Sequence, residues 1–168
     1  MRLDKLYFDI QAIDPCESLG AIGGLIRRSF ADVAAQFGLT SQNCPLHPAF
    51  CDDHSLLNQL DKRGAICLAG YLEGKIVGFV ALIPIKRRVY ELTRLCVAPE
   101  SRQAGLGGLL TDEAARLAKE HGAKKIEIGV IDAHEELKRF YAKRGFCETG
   151  TKSYAHLPFT VCGMELRI

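Results

Sequence analysis

The sequence has no apolar segment long enough to cross a bilayer, no apolar leader and almost no net charge. Its longest apolar run, residues 76–85, is shorter than the roughly 20 residues that a transmembrane helix needs. The first ten residues, MRLDKLYFDI, have charges where a signal peptide would have its apolar core. A net charge of +2 gives no support for general nucleic-acid binding. We therefore expect a cytoplasmic protein that binds neither membrane nor nucleic acid.

Paired cysteine motifs are also missing. The seven cysteines are odd in number and include no C-x-x-C pair, which favours reduced thiols over a disulfide scaffold. Four residues of the types that bind zinc lie close together in the sequence: Cys44, His47, Cys51 and His54. Pro45 and Pro48 interrupt this group and its two halves are only three residues apart, so no metal is expected, although the residue types leave the question open.

What the chain does have is an ordinary globular composition. Its 168 residues are 48% apolar and 25% charged, and no linker, repeat or low-complexity segment divides them. We expect residues 1–168 to form one domain.

The most informative stretch is residues 91–115, ELTRLCVAPESRQAGLGGLLTDEAA. It begins with the apolar pattern of a strand, breaks at Pro99, and continues through a glycine-rich turn into an amphipathic helix. Such a helix start presents free N–H groups and the positive end of the helix dipole, and its glycines allow an anion to approach closely. Arg102 adds a cation that can pair with phosphate. The predicted pyrophosphate cradle consists of Arg102, Gln103, Ala104, Gly105, Leu106, Gly107 and Gly108.

Two nucleotide-binding loops fit this turn poorly. A Walker loop requires Gly-Lys-Ser/Thr where this chain has Gly107-Gly108-Leu109, and a dinucleotide fingerprint requires a glycine where this chain has Leu110. The pattern Val-x-Pro, Arg-x-x-Gly-x-Gly, helix instead resembles the cofactor motif of the GNAT acetyltransferase superfamily, whose turn holds the pyrophosphate of coenzyme A. The alternative is a helix cap that is simply rich in glycine.

The remaining patterns predict an alternation of strands and helices. Strands are expected at residues 5–13, 65–72, 75–84, 125–130, 146–154 and 159–168, besides the strand before Pro99. Helices are expected from Ser18, a possible N-cap, to Phe37, with Gly38 after it, and at 53–60 and 134–144, besides the helix after Gly105. The resulting order, β-α-α-β-β-β-α-β-α-β-β, is that of the mixed α/β sheet of the GNAT fold.

A second motif extends the resemblance. The pattern Leu137-x-x-Phe140-Tyr141-x-Lys143-x-Gly145-Phe146 is similar to the last helix of GNAT enzymes. The family often has Asn seven residues before the tyrosine, in contact with the cofactor arm. Here that position is His134, which can still donate a hydrogen bond.

The resemblance implies an N-acetyltransferase that uses acetyl-CoA. The N–H groups of Leu95, Cys96 and Val97 would serve the thioester, Tyr141 would protonate the departing sulfur, and Glu91 would deprotonate the amine through water. Tyr141 could instead be a core aromatic residue and Glu91 a surface carboxylate. An acyl-enzyme on Cys96 is disfavoured because no partner that would activate the thiol is evident, so direct attack by the acceptor is expected.

The acceptor is not identified by the sequence. Candidate lining residues are His47, His156 and Phe159, and an amine on a small molecule is favoured over one on a protein. A monomer and a homodimer are both compatible with the sequence. The alternatives are a non-catalytic coenzyme A sensor and an acyltransferase of this fold that uses another acyl donor, such as an acyl-homoserine-lactone synthase.

Overall fold

The computed structural model describes residues 7–168, which form one seven-stranded sheet and four α-helices. The strands are β1 (Asp9–Ile13), β2 (Ile66–Leu72), β3 (Lys75–Lys86), β4 (Val89–Val97), β5 (Lys125–Ile131), β6 (Cys147–Ser153) and β7 (Thr160–Arg167). The helices are α1 (Leu19–Gln36), α2 (Asp53–Lys62), α3 (Leu106–Glu120) and α4 (Glu135–Ala142). The element order predicted from the sequence is confirmed, with boundaries shifted by a few residues. The first two residues of the predicted first strand, Lys5 and Leu6, lie outside the described residues.

Strand order in the sheet is β1-β2-β3-β4-β5-β7-β6. The pair β4–β5 is parallel, and each of the other five pairings in residues 7–168 is antiparallel. The antiparallel half β1–β4 and the second half β5–β7 therefore meet at one parallel junction in the middle of the sheet.

The turns follow the local sequence with one exception. Glu73 and Gly74 both have positive φ, 50° and 78°, which is the two-residue hairpin expected between β2 and β3. Gly38 has φ 63° after the end of α1, as predicted for a C′ glycine. Ser18 occupies the N-cap position of α1, but its side chain makes no capping hydrogen bond. Asp14 caps the preceding 3-10 turn instead, because its carboxylate accepts from the Cys16 N–H at 2.9 Å.

The helices cover opposite faces of the sheet. In the β3–β4 register Gly78 pairs with Val97 and Phe79 pairs with Cys96, so these two pairs point to opposite faces. Gly78 lies beneath the Leu106 side chain of α3, and α4 packs beside α3. On the other face α1 lies over β3 and β4 with α2 beside it. None of the helices in residues 7–168 is both long and apolar enough to cross a membrane.

The parallel junction opens after only three residue pairs. Val89–Glu91 pairs with Lys125–Glu127, and beyond Glu91 the two strands are no longer paired. On its other edge β4 carries a bulge: Phe79 pairs with Cys96 but Ala81 pairs with Thr93, so β4 has one extra residue at this point. Arg94, inside the bulge, has φ 54°, a left-handed conformation that costs energy in a residue with a Cβ.

Candidate functional site

A cavity of about 340 Å³ occupies the gap between β4 and β5. Its walls come from both strands, from α1, α4 and β7, and from the loop that precedes the 3-10 turn Pro48–Phe50. The residues predicted from sequence that line it are Glu91, Leu95, His134, Tyr141, His47 and Phe159. The separation of β4 from β5 thus brings most of the predicted catalytic and acceptor-side residues to one cavity.

The backbone of β4 supplies N–H donors to this gap. Ala98 N–H donates to the Val77 carbonyl on β3 at 2.7 Å, and strand geometry alternates the direction of successive N–H groups. Leu95 and Val97 therefore direct their N–H groups away from β3, towards the gap. By the same alternation the Cys96 N–H is directed to β3, so Leu95 and Val97 are the two of the three predicted donors that strand geometry turns to the gap. The Cys96 thiol is buried on the α1 face, and burial raises its pKa to about 12.

Tyr141 lies on α4 at the wall of the cavity. Its side chain is 5% exposed and packs edge-on between Phe140 and Phe146, with ring centroids 5.1 and 5.2 Å away. Burial raises the pKa of the phenol well above its ordinary value. Tyr141 is therefore a neutral phenol at physiological pH, held by packing on two sides.

Glu91 stands where β4 and β5 separate. Its side chain is about one-third exposed, and it lines both the gap cavity and a neighbouring cavity of about 390 Å³ between β5, β6 and β7. One carboxylate oxygen lies 4.0 Å from a guanidinium nitrogen of Arg63 at the end of α2. A carboxylate at this partly solvent-exposed position can accept a proton through water.

His134 is the N-cap residue of α4. Its Nδ1 accepts a hydrogen bond from the Leu137 N–H at 3.3 Å, and its ring lies 5.4 Å from that of Phe37. Burial lowers the pKa of the imidazole. Because Nδ1 is an acceptor in a neutral ring, the proton resides on Nε2, which leaves His134 one donor at the cavity wall.

The glycine-rich turn after β4 forms a third cavity, of about 320 Å³. Gly105 is the N-cap residue of α3 with φ 89°, and Gln103 has φ 62°. No side chain caps this helix start and no acidic residue lies in its first turn, so the N–H groups of Leu106, Gly107 and Gly108 remain open to an anion. Every predicted cradle residue except Ala104 lines this cavity.

The predicted phosphate-pairing residue, Arg102, is already engaged by the protein. Its guanidinium donates to Asp32 at 2.6 Å and to the Ser29 carbonyl at 2.8 Å, both on α1. Arg102 therefore fixes the turn to α1, and Asp32 balances much of its charge.

Arg144, which the sequence analysis missed, provides a second cation at the cradle. Its guanidinium lies 5.2 Å from the Phe140 ring centroid and donates to Asp112 at 2.8 Å. Its Nε is buried without a hydrogen-bond partner. It occupies the space beside Gly108, where a Cβ would lie 1.7 Å from a guanidinium nitrogen. The sequence signal was weak, because this contact depends on α4 packing beside α3.

The acceptor candidates separate into two groups. His47 is 8% exposed, caps the Pro48–Phe50 turn through Nδ1 (3.2 Å from Ala49 N) and lines the gap with Phe159. Burial lowers its pKa. His156 is exposed, and its ring centroid lies 5.7 Å from that of Tyr154. It does not line the gap cavity, so the structure does not bring it together with His47 and Phe159. A further residue missed from sequence, Arg94, does line the gap.

The cysteine and histidine residues considered for metal binding are used in other ways. His47 caps a turn, His54 on α2 hydrogen-bonds Asn58 at 3.1 Å, and Cys44 is buried, which raises its pKa. Across residues 7–168 there is no group of three His, Cys, Asp or Glu side chains placed to hold a metal.

Comparison with known proteins identifies the family. The model of the Acetyltransferase (GNAT) family matches residues 34–146, which include β4, the cradle and α4. The chain belongs to the GNAT acetyltransferase family. This GNAT chain is 34% identical over 94 residues to an uncharacterized N-acetyltransferase of Mycobacterium tuberculosis, a match that covers 56% of this chain and 60% of the relative.

Solved structures share the fold. The PaiA N-acetyltransferase of Thermoplasma acidophilum, solved in complex with coenzyme A, superposes with a TM-score of 0.74 at 21% identity, covering 96% of this chain and 99% of that one. The ribosomal-protein-S18-alanine N-acetyltransferase of Escherichia coli gives a TM-score of 0.76 at 15% identity, covering 96% and 94%. The mixed α/β sheet is therefore the GNAT acyltransferase fold.

Proposed function

We propose that this protein is an acetyl-CoA-dependent N-acetyltransferase that transfers the acetyl group directly to an acceptor amine. The observation that carries the proposal is the parting of β4 from β5 beside an uncapped, glycine-rich helix start. This arrangement offers an anion site and a thioester site along one strand, with Val97 lining the cradle at the end of β4.

The cradle residues fit the pyrophosphate of coenzyme A. The N–H groups of Leu106, Gly107 and Gly108 can each donate to phosphate oxygens, and the helix dipole favours the negative charge. Arg144 adds a guanidinium whose Nε has no protein partner. The pantetheine arm would then follow β4, where Leu95 and Val97 present N–H groups and His134 presents Nε2.

The gap residues fit the chemistry of acetyl transfer. Glu91, at the wet end of the gap, would remove the amine proton through water, because an amine with an ordinary pKa near ~10 is mostly protonated at neutral pH. The Leu95 N–H would stabilise the negative charge that develops on the carbonyl oxygen. Tyr141, a neutral phenol at the cavity wall, would give its proton to the departing thiolate.

Direct attack is favoured over an acyl-enzyme. A nucleophilic cysteine needs a lowered pKa, whereas burial raises the pKa of Cys96 to about 12 and its side chain faces α1. The acceptor would enter past His47, Phe159 and Glu91 and meet the thioester without a covalent intermediate. The cavity is partly enclosed, so an amine on a small molecule fits it better than an amine on the surface of a protein.

The proposal is tested by measuring thiol release from acetyl-CoA over a panel of primary amines. We expect turnover with at least one amine, and an amount of acetylated product equal to the amount of thiol released. Turnover with propionyl-CoA or a longer acyl-CoA should not be faster than turnover with acetyl-CoA. Binding of acetyl-CoA without acetylation of any amine would favour a sensor, and faster turnover with a longer acyl chain would favour a different donor.

A further inference from the structure

Arg94 is a charged side chain at the wall of the gap that no protein carboxylate neutralises at close range. It lies in the β4 bulge with φ 54°, and its Nη2 donates to the Gln59 side chain on α2. Its Nε is buried and has no hydrogen-bond partner. Within residues 7–168 no carboxylate oxygen lies within 4.0 Å of its guanidinium.

The charges around Arg94 do not compensate for this burial. Glu91 is on the same strand and its charge acts on Arg94, but the carboxylate is shared with the Arg63 guanidinium at 4.0 Å. Burial lowers the pKa of Arg94, which means that the surroundings disfavour its charge. A buried guanidinium without an anionic partner is costly, and natural proteins usually pair such a group.

The position of Arg94 indicates which kind of anion would pair with it. Arg94 lines the same cavity as Glu91 and Leu95, on the strand that faces the reacting groups. An anion on the acceptor side of the gap would therefore lie near Arg94, whereas the phosphates of coenzyme A would lie at the α3 cradle. A planar guanidinium matches a carboxylate in shape and can donate two parallel hydrogen bonds to it.

We propose that Arg94 binds a carboxylate carried by the acceptor, so that the substrate is an amino acid or another small amine that also bears a carboxylate. This inference rests on the proposed acetyltransferase function and names the substrate class for it. With its carboxylate on Arg94, such a molecule would present its amine in the cavity that Glu91 borders.

The test compares amino acids with their own carboxamides as acceptors, using acetyl-CoA and thiol release. We expect the preferred amino acid to exceed its carboxamide in kcat/KM by about 10- to 100-fold, the usual effect of a hydrogen bond to a charged group. Intrinsic reactivity cannot cause this preference, because the amine of a carboxamide is the less basic one and is unprotonated in larger proportion.

The Arg94→Gln variant should remove the preference. We expect the acid-to-carboxamide ratio of kcat/KM to fall to about one, while the affinity for acetyl-CoA stays unchanged. The melting temperature should not fall, because the variant deletes an unpaired buried charge. Arg116→Gln is the matched control: it removes the same charge from the outer face of α3, where Arg116 pairs with Glu113. It should leave the ratio unchanged.

The outcomes separate the inference from the function on which it rests. Equal use of acid and carboxamide, a ratio that survives in Arg94→Gln, or acetylation only of amines without a carboxylate would overturn the carboxylate inference and leave the acetyltransferase proposal intact. Failure of the wild-type protein to bind acetyl-CoA would overturn the acetyltransferase proposal itself, and the inference with it.

Discussion

Replacing Tyr141 with phenylalanine is expected to lower kcat for acetyl transfer about 100-fold, the usual contribution of a positioned general acid. The loss should appear in kcat with little change in the acetyl-CoA dissociation constant, because in the proposed mechanism the hydroxyl would act on the sulfur only as it departs. The ring packing against Phe140 and Phe146 is preserved in the variant, so its melting temperature should stay close to that of the wild type.

A matched control is Tyr90→Phe, which removes a phenol hydroxyl from β4 at a half-buried position that lines neither the gap nor the cradle. It should leave kcat unchanged. If Tyr141→Phe retained full activity, Tyr141 would be a core aromatic residue only, and proton donation to the thiolate would have to come from solvent.

The Gly107→Ala variant is expected to bind coenzyme A at least tenfold more weakly, by about 1.4 kcal/mol or more, without loss of fold stability. The protein itself has room for the methyl group, since a Cβ at this position would meet Phe140 and Val97 at 3.7 Å, an ordinary contact. The same methyl group would stand on the first turn of α3, where phosphate oxygens must approach the main chain closely. Calorimetric titration beside a melting curve measures both effects.

Gly24→Ala is the control for the helical backbone. Gly24 lies inside α1 with nothing within 4 Å of an added Cβ, so Gly24→Ala gains helix propensity of about 1 kcal/mol without touching the cradle. Only Gly107→Ala should lose cofactor affinity. Equal affinity in the two variants would mean that the first turn of α3 does not contact the phosphates.

Local sequence was sufficient for the elements whose signals are local. The turn from Val97 through Gly105 to the helix α3, the Glu73-Gly74 hairpin and the last helix with Tyr141 were all predicted, because glycine, proline and helical periodicity act over a few residues. The sites that depend on those elements, the cradle and the Tyr141 wall, were predicted with them.

Contacts between distant elements were not predictable in the same way. Arg102 pairs with Asp32, and Arg144 reaches the cradle, only because α1 and α4 pack on either side of β4. The bulge at Arg94 depends on the β3–β4 register, which no local pattern encodes. For the same reason His47 and His156 could not be distinguished by sequence, although only His47 lies in the cavity.

The most direct test of the account is a calorimetric titration of the protein with acetyl-CoA, run beside free coenzyme A and ATP. We expect saturable binding of acetyl-CoA, weaker binding of ATP, and a clear loss of acetyl-CoA affinity in the Arg144→Gln variant, because Arg144 lines the cradle. A protein that bound ATP and gave no heat with acetyl-CoA would contradict this expectation, because the turn would then hold a nucleotide of another kind and the gap between β4 and β5 would have no thioester to serve.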